Sequence, residues 1–407
     1  MENNDILIVG AGAAGLMTGI WAGRTNPGRR IVVLDSARRI GAKILVAGGG
    51  RCNVTHDVVD ESAYAGSSRN AIRKVLRRFD VPQTIAFFRE IGVELKREDN
   101  GKLFPVSNDA HTVLDALLRA AADANVRILH PRRIETIERA GEGFVVSGAW
   151  KSMTAAKVVI ATGGRALPKS GSDGHGYAMA QALGHTLTPR IFPALVPLVL
   201  EGGHFLRELS GISAEVRLSV HAGSGKRLIA LDGSLLCTHF GVSGPVALDI
   251  SRYYLDARVH DPGATLVVNW LPAFTVEAFE QHILAHPHDG ALRALSDHLP
   301  DRLARALLDQ AGITAGTTFG GLTREQRRAL VSAVCALRLP VSGDRGYTYA
   351  EVTAGGIPLS EIRLETMESR ICPGLYLCGE ICDVDGRIGG YNFQWAWASG
   401  YVAGTSL

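Results

Sequence analysis

Apolar, β-branched runs stand out at residues 6–9, 31–34, 154–161 and 375–377. Runs of that length, stopped by glycine or by an acid, read as buried strands. Residues 126–129, 134–137 and 144–147 add three shorter strands. Between them, apolar positions recur at helical spacing over 69–80, 83–91 and 110–124. Residues 16–22 and 177–183 also read as helical. The pattern changes near Pro189, where Pro189, Pro193 and Pro197 break the chain. Short strands follow at 195–200, 215–221, 227–231, 234–238 and 264–270. Helices follow at 275–285, 290–298, 301–309 and 323–336. After residue 345 the first pattern resumes. The expected organisation is therefore one α/β domain in two segments, 1–189 and 346–407, split by an inserted substrate or cap domain over 190–345.

The strands of the split domain end in glycines. Gly10, Gly12 and Gly15 follow the first strand and open a helix, with Ala11, Ala13 and Ala14 between them. In a dinucleotide fingerprint the first glycine makes the turn, the second admits a pyrophosphate, and the third lets helix pack on strand. The helix N-terminus then offers unpaired N–H groups and a partial positive charge. Asp35, at the end of the second strand, is placed to accept from ribose hydroxyls. The 154–161 strand stops in Thr162-Gly163-Gly164, and the 375–377 strand in Gly379-Glu380. Gly389 and Gly390 open a last helix, and Gly48, Gly49 and Gly50 interrupt a polar loop. Glycine ends scattered along one chain and meeting on one ligand imply a long one. FAD spans that distance, whereas NAD on a single Rossmann unit would leave the C-terminal elements without a task. A second glycine fingerprint after a strand is not encoded.

Composition narrows the class. The 407 residues carry a formal charge of +3, which gives no general pull toward nucleic acid. A basic stripe is nevertheless expected on the 69–80 helix, where Arg69, Arg73 and Arg77 recur every four residues beside Lys74 and Arg78. The six cysteines lack paired metal spacing, so free thiols and no metal are expected. The glycine-rich N-terminus suits neither a signal peptide nor a membrane span, which points to the cytoplasm. His175, at a helix start, reads as structural. His239, flanked by Gly and Pro turns, is a candidate acid or base.

On these motifs the chain resembles the BaiN/RdsA-type family of FAD-dependent oxidoreductases, also described as aminoacetone-oxidase-like flavoproteins. The blocks that carry the resemblance are 9–16, 48–53, 161–164, 238–245, 352–356 and 383–400, in the family's order. Asp35 stands where that family more often has Glu, and Ala47 where Ser is common. The resemblance implies a glutathione-reductase-like FAD domain split by an insert with a small β-barrel and a helical part. It places Gly49, Gly50, Arg51, Cys52 and Asn53 at the flavin ring, together with Gly389, Gly390, Tyr391, Asn392 and Gln394. The expected cofactor contacts also include Gly10, Gly12, Ala13, Ala14, Gly15, Asp35, Lys43, Ile134, Thr162, Gly163, Gly164, Gly379 and Glu380. The implied chemistry is reduction of an activated C=C bond, with NADH or NADPH as transient donor. Two branches are implied: a uridine of large-subunit ribosomal RNA, held partly by the basic stripe, or a small enone. Amine oxidation and a non-catalytic flavin-holding role stay open beside them. Candidate proton donors are Cys52, His239 and Asp383.

Overall fold

The structure, a computed structural model, describes residues 2–407. The chain forms two compact units, one built from residues up to Pro193 and from Glu351 onward, the other from Ala194–Ala350. Each has its own apolar core.

The first unit is built on a parallel sheet. Its strands are β1 (Glu2–Val9), β2 (Ile31–Leu34), β3 (Val126–Leu129), β4 (Lys151–Ile160) and β5 (Leu375–Leu377). They lie in the order β3-β2-β1-β4-β5, every neighbouring pair parallel. That is the doubly wound order, which reverses between β1 and β4. Ile6, Leu7, Ile8, Val158, Val159 and Ile160 are all fully buried. Helices cover both faces of such a sheet, so its strands are apolar on both sides, as the unbroken runs require. Two short antiparallel strands, Ile362–Arg363 and Glu368–Ser369, extend the β5 edge.

Helix α1 (Ala13–Thr25) follows β1, and α2 (Tyr391–Ser406) lies along it. The two helices pack backbone to backbone. A Cβ at Gly400 would stand 2.6 Å from the Ala14 carbonyl oxygen, and one at Gly404 2.6 Å from that of Thr18. Helix α2 is buried from Gln394 to Gly400 without a polar face, which makes it a core helix.

The basic helix is shorter than its pattern predicts. It spans Arg69–Leu76, with Arg77 as its cap and Arg78 beyond it. Asp80 starts a second helix, Val81–Glu90, with a capping box to Gln83 and a proline in the first turn. A strong new start ends the old helix.

The second unit holds a seven-stranded antiparallel sheet and a set of helices. The resemblance implies a small barrel there; the strand path runs from Leu337–Leu339 to Val341–Asp344, which are joined in the chain by Pro340 alone, so one stretch of chain links the first and last strands. The predicted strands 227–231 and 234–238 are one, Arg227–Thr238. Asp232 sits mid-strand because Arg217, opposite it, donates to both its carboxylate oxygens at 2.6 and 2.7 Å. The helix Pro245–His260 lies where the sequence reads only a turn.

Candidate functional site

The three fingerprint glycines have three different surroundings. A Cβ at Gly10, which has φ +105°, would stand 2.5 Å from the Ala161 carbonyl oxygen. One at Gly15 would run into the Gly10 carbonyl. These two glycines are required by the fold itself. A Cβ at Gly12 would meet no protein atom within 4 Å. Gly12 caps α1 without a side-chain bond, and the first turn carries no acid. The helix therefore opens onto bare backbone with its positive end free. Asp35 flanks this turn: one carboxylate oxygen accepts from Ala11 N at 2.6 Å, the other from Ala37 N at 2.7 Å. Each oxygen keeps a lone pair. Ile134 is buried nearby in sequence to Arg132, whose N–H reaches the Asp35 carbonyl at 2.6 Å.

Four other glycine stretches meet this turn or each other. Gly379, at the end of β5, has φ +77°, and a Cβ there would stand 2.8 Å from the Ala14 Cβ. Glu380 beside it accepts from Lys43 Nζ at 2.6 Å and from Thr353 N at 3.0 Å. Its carboxylate lies against the β4 glycines: a Cβ at Gly164 would be 2.8 Å from one of its oxygens. Thr162 and Gly163 complete that turn. Thr353 lies in the 352–356 block, where the sequence assigns it no role of its own. Its hydroxyl accepts from Arg165 N at 2.7 Å and Ala166 N at 3.0 Å, fixing the β4 turn. Its place before Gly355-Gly356 was the available signal.

The loop with three glycines is a left-handed break at the end of the helix Ala42–Gly50. Gly48, Gly49 and Gly50 have φ of +58°, +69° and +86°. Such a run is strained for residues with a Cβ, which answers why three glycines occur together. A Cβ at Gly49 would meet no protein atom within 4 Å. Asn53 follows, 7% exposed, and its side-chain oxygen is buried without a hydrogen-bond partner among the described residues. The Asn53 loop adjoins the start of α2, since a Cβ at Gly390 would lie 2.7 Å from Thr55 Cα. Like α1, α2 begins on a glycine with no capping side chain and no acid in its first turn. Gly389 lies beside His56 and Lys102. The His56 ring stacks on Tyr391 at 5.0 Å and 21°, a second neighbour the sequence reading did not single out.

Several predicted residues have other engagements. The Gln394 side chain accepts from Thr55 and Thr84 hydroxyls at 2.7 and 3.0 Å and donates to the Phe79 carbonyl at 2.9 Å. Its amide ties the core together. Asn392 clamps Gly386, accepting from its N–H at 2.8 Å and donating to its carbonyl at 3.0 Å. Arg51 pairs with Glu98 at 2.6 Å and stacks over Phe104 at 4.0 Å. The Cys52 thiol is fully buried, and burial pushes it up to about 12. A thiol held there is protonated and reluctant to give up its proton. Asp383 is 8% exposed; its side chain accepts from Ser67 Oγ at 3.1 Å. His239 belongs to the second unit, where it is exposed. His175 starts a helix and bonds the Glu135 carbonyl at 3.2 Å. Among the described residues no helix is long and apolar enough to cross a membrane.

Comparison with known proteins agrees with this geometry. A family model described as the HI0933-like protein Rossmann domain matches residues 4–406. A 3-dehydro-bile acid delta(4,6)-reductase of Clostridium scindens is 34% identical over 406 residues, covering 98% of each chain. A ribosomal RNA dihydrouridine synthase of Escherichia coli is 34% identical over 410 residues, covering 100% of this chain and 98% of that one. Among solved structures, a 3-ketosteroid delta1-dehydrogenase of Sterolibacterium denitrificans covers 99% of both chains with a TM-score of 0.52 and 15% identity, a likeness of fold. The protein is an α/β oxidoreductase of the FAD-dependent, Rossmann-fold class. Within that class the chain belongs to the HI0933-like family, the BaiN/RdsA type that its motifs resemble.

Proposed function

We propose that the protein catalyses NAD(P)H-linked reduction of a C=C bond conjugated to a carbonyl, with a uridine of large-subunit ribosomal RNA as substrate. The observation that carries the reading is the pair of 34%-identical, full-length relatives. One is named for reducing a keto-steroid alkene and the other for making dihydrouridine; both names describe saturation of an activated double bond. A cytoplasmic location is the one that suits such a substrate.

The residues fit FAD. Open space over Gly12 and Gly49 is where a bound group would replace solvent, and the orphaned Asn53 oxygen is an acceptor in want of an N–H donor. In this reading Gly10, Gly12, Ala13, Ala14 and Gly15 hold the pyrophosphate and Asp35 the adenosine ribose. Lys43 fixes the Glu380 carboxylate for ribityl hydroxyls, beside Thr162, Gly163 and Gly164. Gly49, Gly50 and Asn53 would border the ring, and the free N-terminus of α2 would offer it a partial positive charge. Bound flavin supplies the hydride. The chain itself supplies orientation and the proton. Of the candidate donors, Cys52 is the weakest because its thiol is held near 12. Asp383 and His239 remain the other candidate donors. Arg69, Lys74, Arg77 and Arg78 are exposed, which suits them to phosphates.

Mass spectrometry of ribosomal RNA from a deletion strain tests the substrate. Loss of one dihydrouridine, restored by the wild-type gene, is expected; unchanged dihydrouridine overturns it. A small enone is the second reading, favoured by the bile-acid reductase relative at equal identity. NADPH oxidation driven by a 3-keto-4-ene steroid, and not by RNA, would select it.

A further inference from the structure

In the second unit, Leu198–Leu200 pairs antiparallel with Gly241–Ser243 on one side and Val341–Asp344 on the other. His239 and Phe240 precede the first partner strand; Arg345 and Tyr349 follow the second. The pairing brings these two loops together. The Arg345 guanidinium carbon lies 4.4 Å from the Phe240 ring centroid and 3.8 Å from that of Tyr349. One cation thus stacks on two rings.

The loops are braced. Arg207 donates to the His239 carbonyl at 2.9 Å. Tyr349 N and Ala350 N reach the Gly346 carbonyl at 3.0 and 3.1 Å, closing the turn that carries Tyr349. Asp344, the nearest acid in sequence, accepts from Gly346 N at 2.7 Å and so serves the turn. Tyr349 is nevertheless 51% exposed, the one aromatic ring among the exposed large hydrophobic side chains of the described residues. A ring held rigid from below by a guanidinium and left open to solvent is a poor way to build a core. It is a good way to receive a flat, anionic ligand. Aromatic faces accept any nucleobase, and a guanidinium that keeps its charge takes the adjoining phosphate.

We propose that Phe240, Arg345 and Tyr349 form a stacking platform for a nucleobase of single-stranded RNA, with Arg345 also serving its phosphate. The proposal deepens the ribosomal RNA reading and rests on it. The platform is independent of base identity, so uridine selection falls to the reaction site.

The test is fluorescence anisotropy of a labelled oligouridylate of about ten nucleotides titrated with FAD-loaded protein. Tyr349→Ala should weaken binding about tenfold, the loss of one stacked base, and Tyr349→Phe should bind close to wild type. Arg345→Gln should weaken binding and lower the salt slope by about one. Melting temperature and anaerobic bleaching of the flavin by NADPH should be unchanged in Tyr349→Ala, which separates binding from folding. Wild-type protein that does not bind the oligonucleotide overturns the proposal, as does a Tyr349→Ala variant within about twofold of wild type. The two readings fail separately. A deletion strain with full dihydrouridine removes the reaction, even where oligouridylate binding still depends on Tyr349.

Discussion

Gly12 and Gly15 stand three residues apart and answer to different demands. At Gly15 a methyl group collides with the Gly10 carbonyl, so Gly15→Ala should destabilise the fold by on the order of 3 kcal/mol. At Gly12 the same methyl meets no protein atom. Gly12→Ala should melt within about 0.5 kcal/mol of the wild-type apoprotein. Its FAD dissociation constant should rise about tenfold or more, since the methyl enters the space a phosphate would use. Thermal melts of both apoproteins, with FAD titrated by fluorescence quenching, separate the two. A Gly12→Ala variant that binds FAD like wild type would remove Gly12 from the cofactor cradle.

Helices α1 and α2 make the next level of organisation. Their crossing depends on Gly400 and Gly404, which let α2 touch the α1 backbone. Gly404→Val would push against the Thr18 carbonyl and the Trp21 Cβ at 2.6 and 2.8 Å. Overpacking of this kind costs about 1–3 kcal/mol. It should lower the melting temperature and weaken FAD together, because both free helix ends move with the crossing. A variant that loses stability while its FAD affinity is untouched would show that the two ends act independently. The parallel strands and both glycine-opened helices were legible in the sequence. Unbroken apolar runs stopped by glycine leave few alternatives. The helix Pro245–His260 was not legible, because Gly244-Pro245 reads as a turn although proline at a first helical position is a start signal. The split of Arg227–Thr238 into two strands failed at Asp232-Gly233 for a tertiary reason. Arg217 neutralises the acid, and Gly233 carries the strand through φ +156°, a backbone conformation that suits glycine. The engagements of Gln394 and Asn392 were equally hidden, since a motif places a backbone and not the direction of an amide.

Across the whole molecule, the cysteines set an alkaline limit. Burial pushes Cys237 up to about 11, and Cys52, Cys335 and Cys378 up to about 12, from an ordinary 9.0. Their folded-state values are raised, so their contribution is fully present below pH 9. It is lost as the pH climbs toward 11 and 12, where the unfolded chain has already released these protons. Each thiol lowers unfolding stability by about 1.4 kcal/mol per pH unit across that window. Melting temperature under reducing conditions should stay level from pH 7 to 9 and then fall steeply. A level profile up to pH 11 would contradict the buried-thiol picture. Because thiols of both units take part, the fall should involve both units.

Gly12 and Gly379 are separated by more than 360 residues, yet Gly12 caps α1 and a Cβ at Gly379 would stand 2.8 Å from the Cβ of Ala14 in its first turn. A ribosome therefore completes the β1 turn long before Gly379, β5 and α2 exist. Until those parts emerge, a nascent chain offers the cofactor only a fraction of its contacts, and tight loading has to wait for them. Flavin loading should therefore follow synthesis of β5 and α2, and starvation for riboflavin should leave empty protein exposed to proteases.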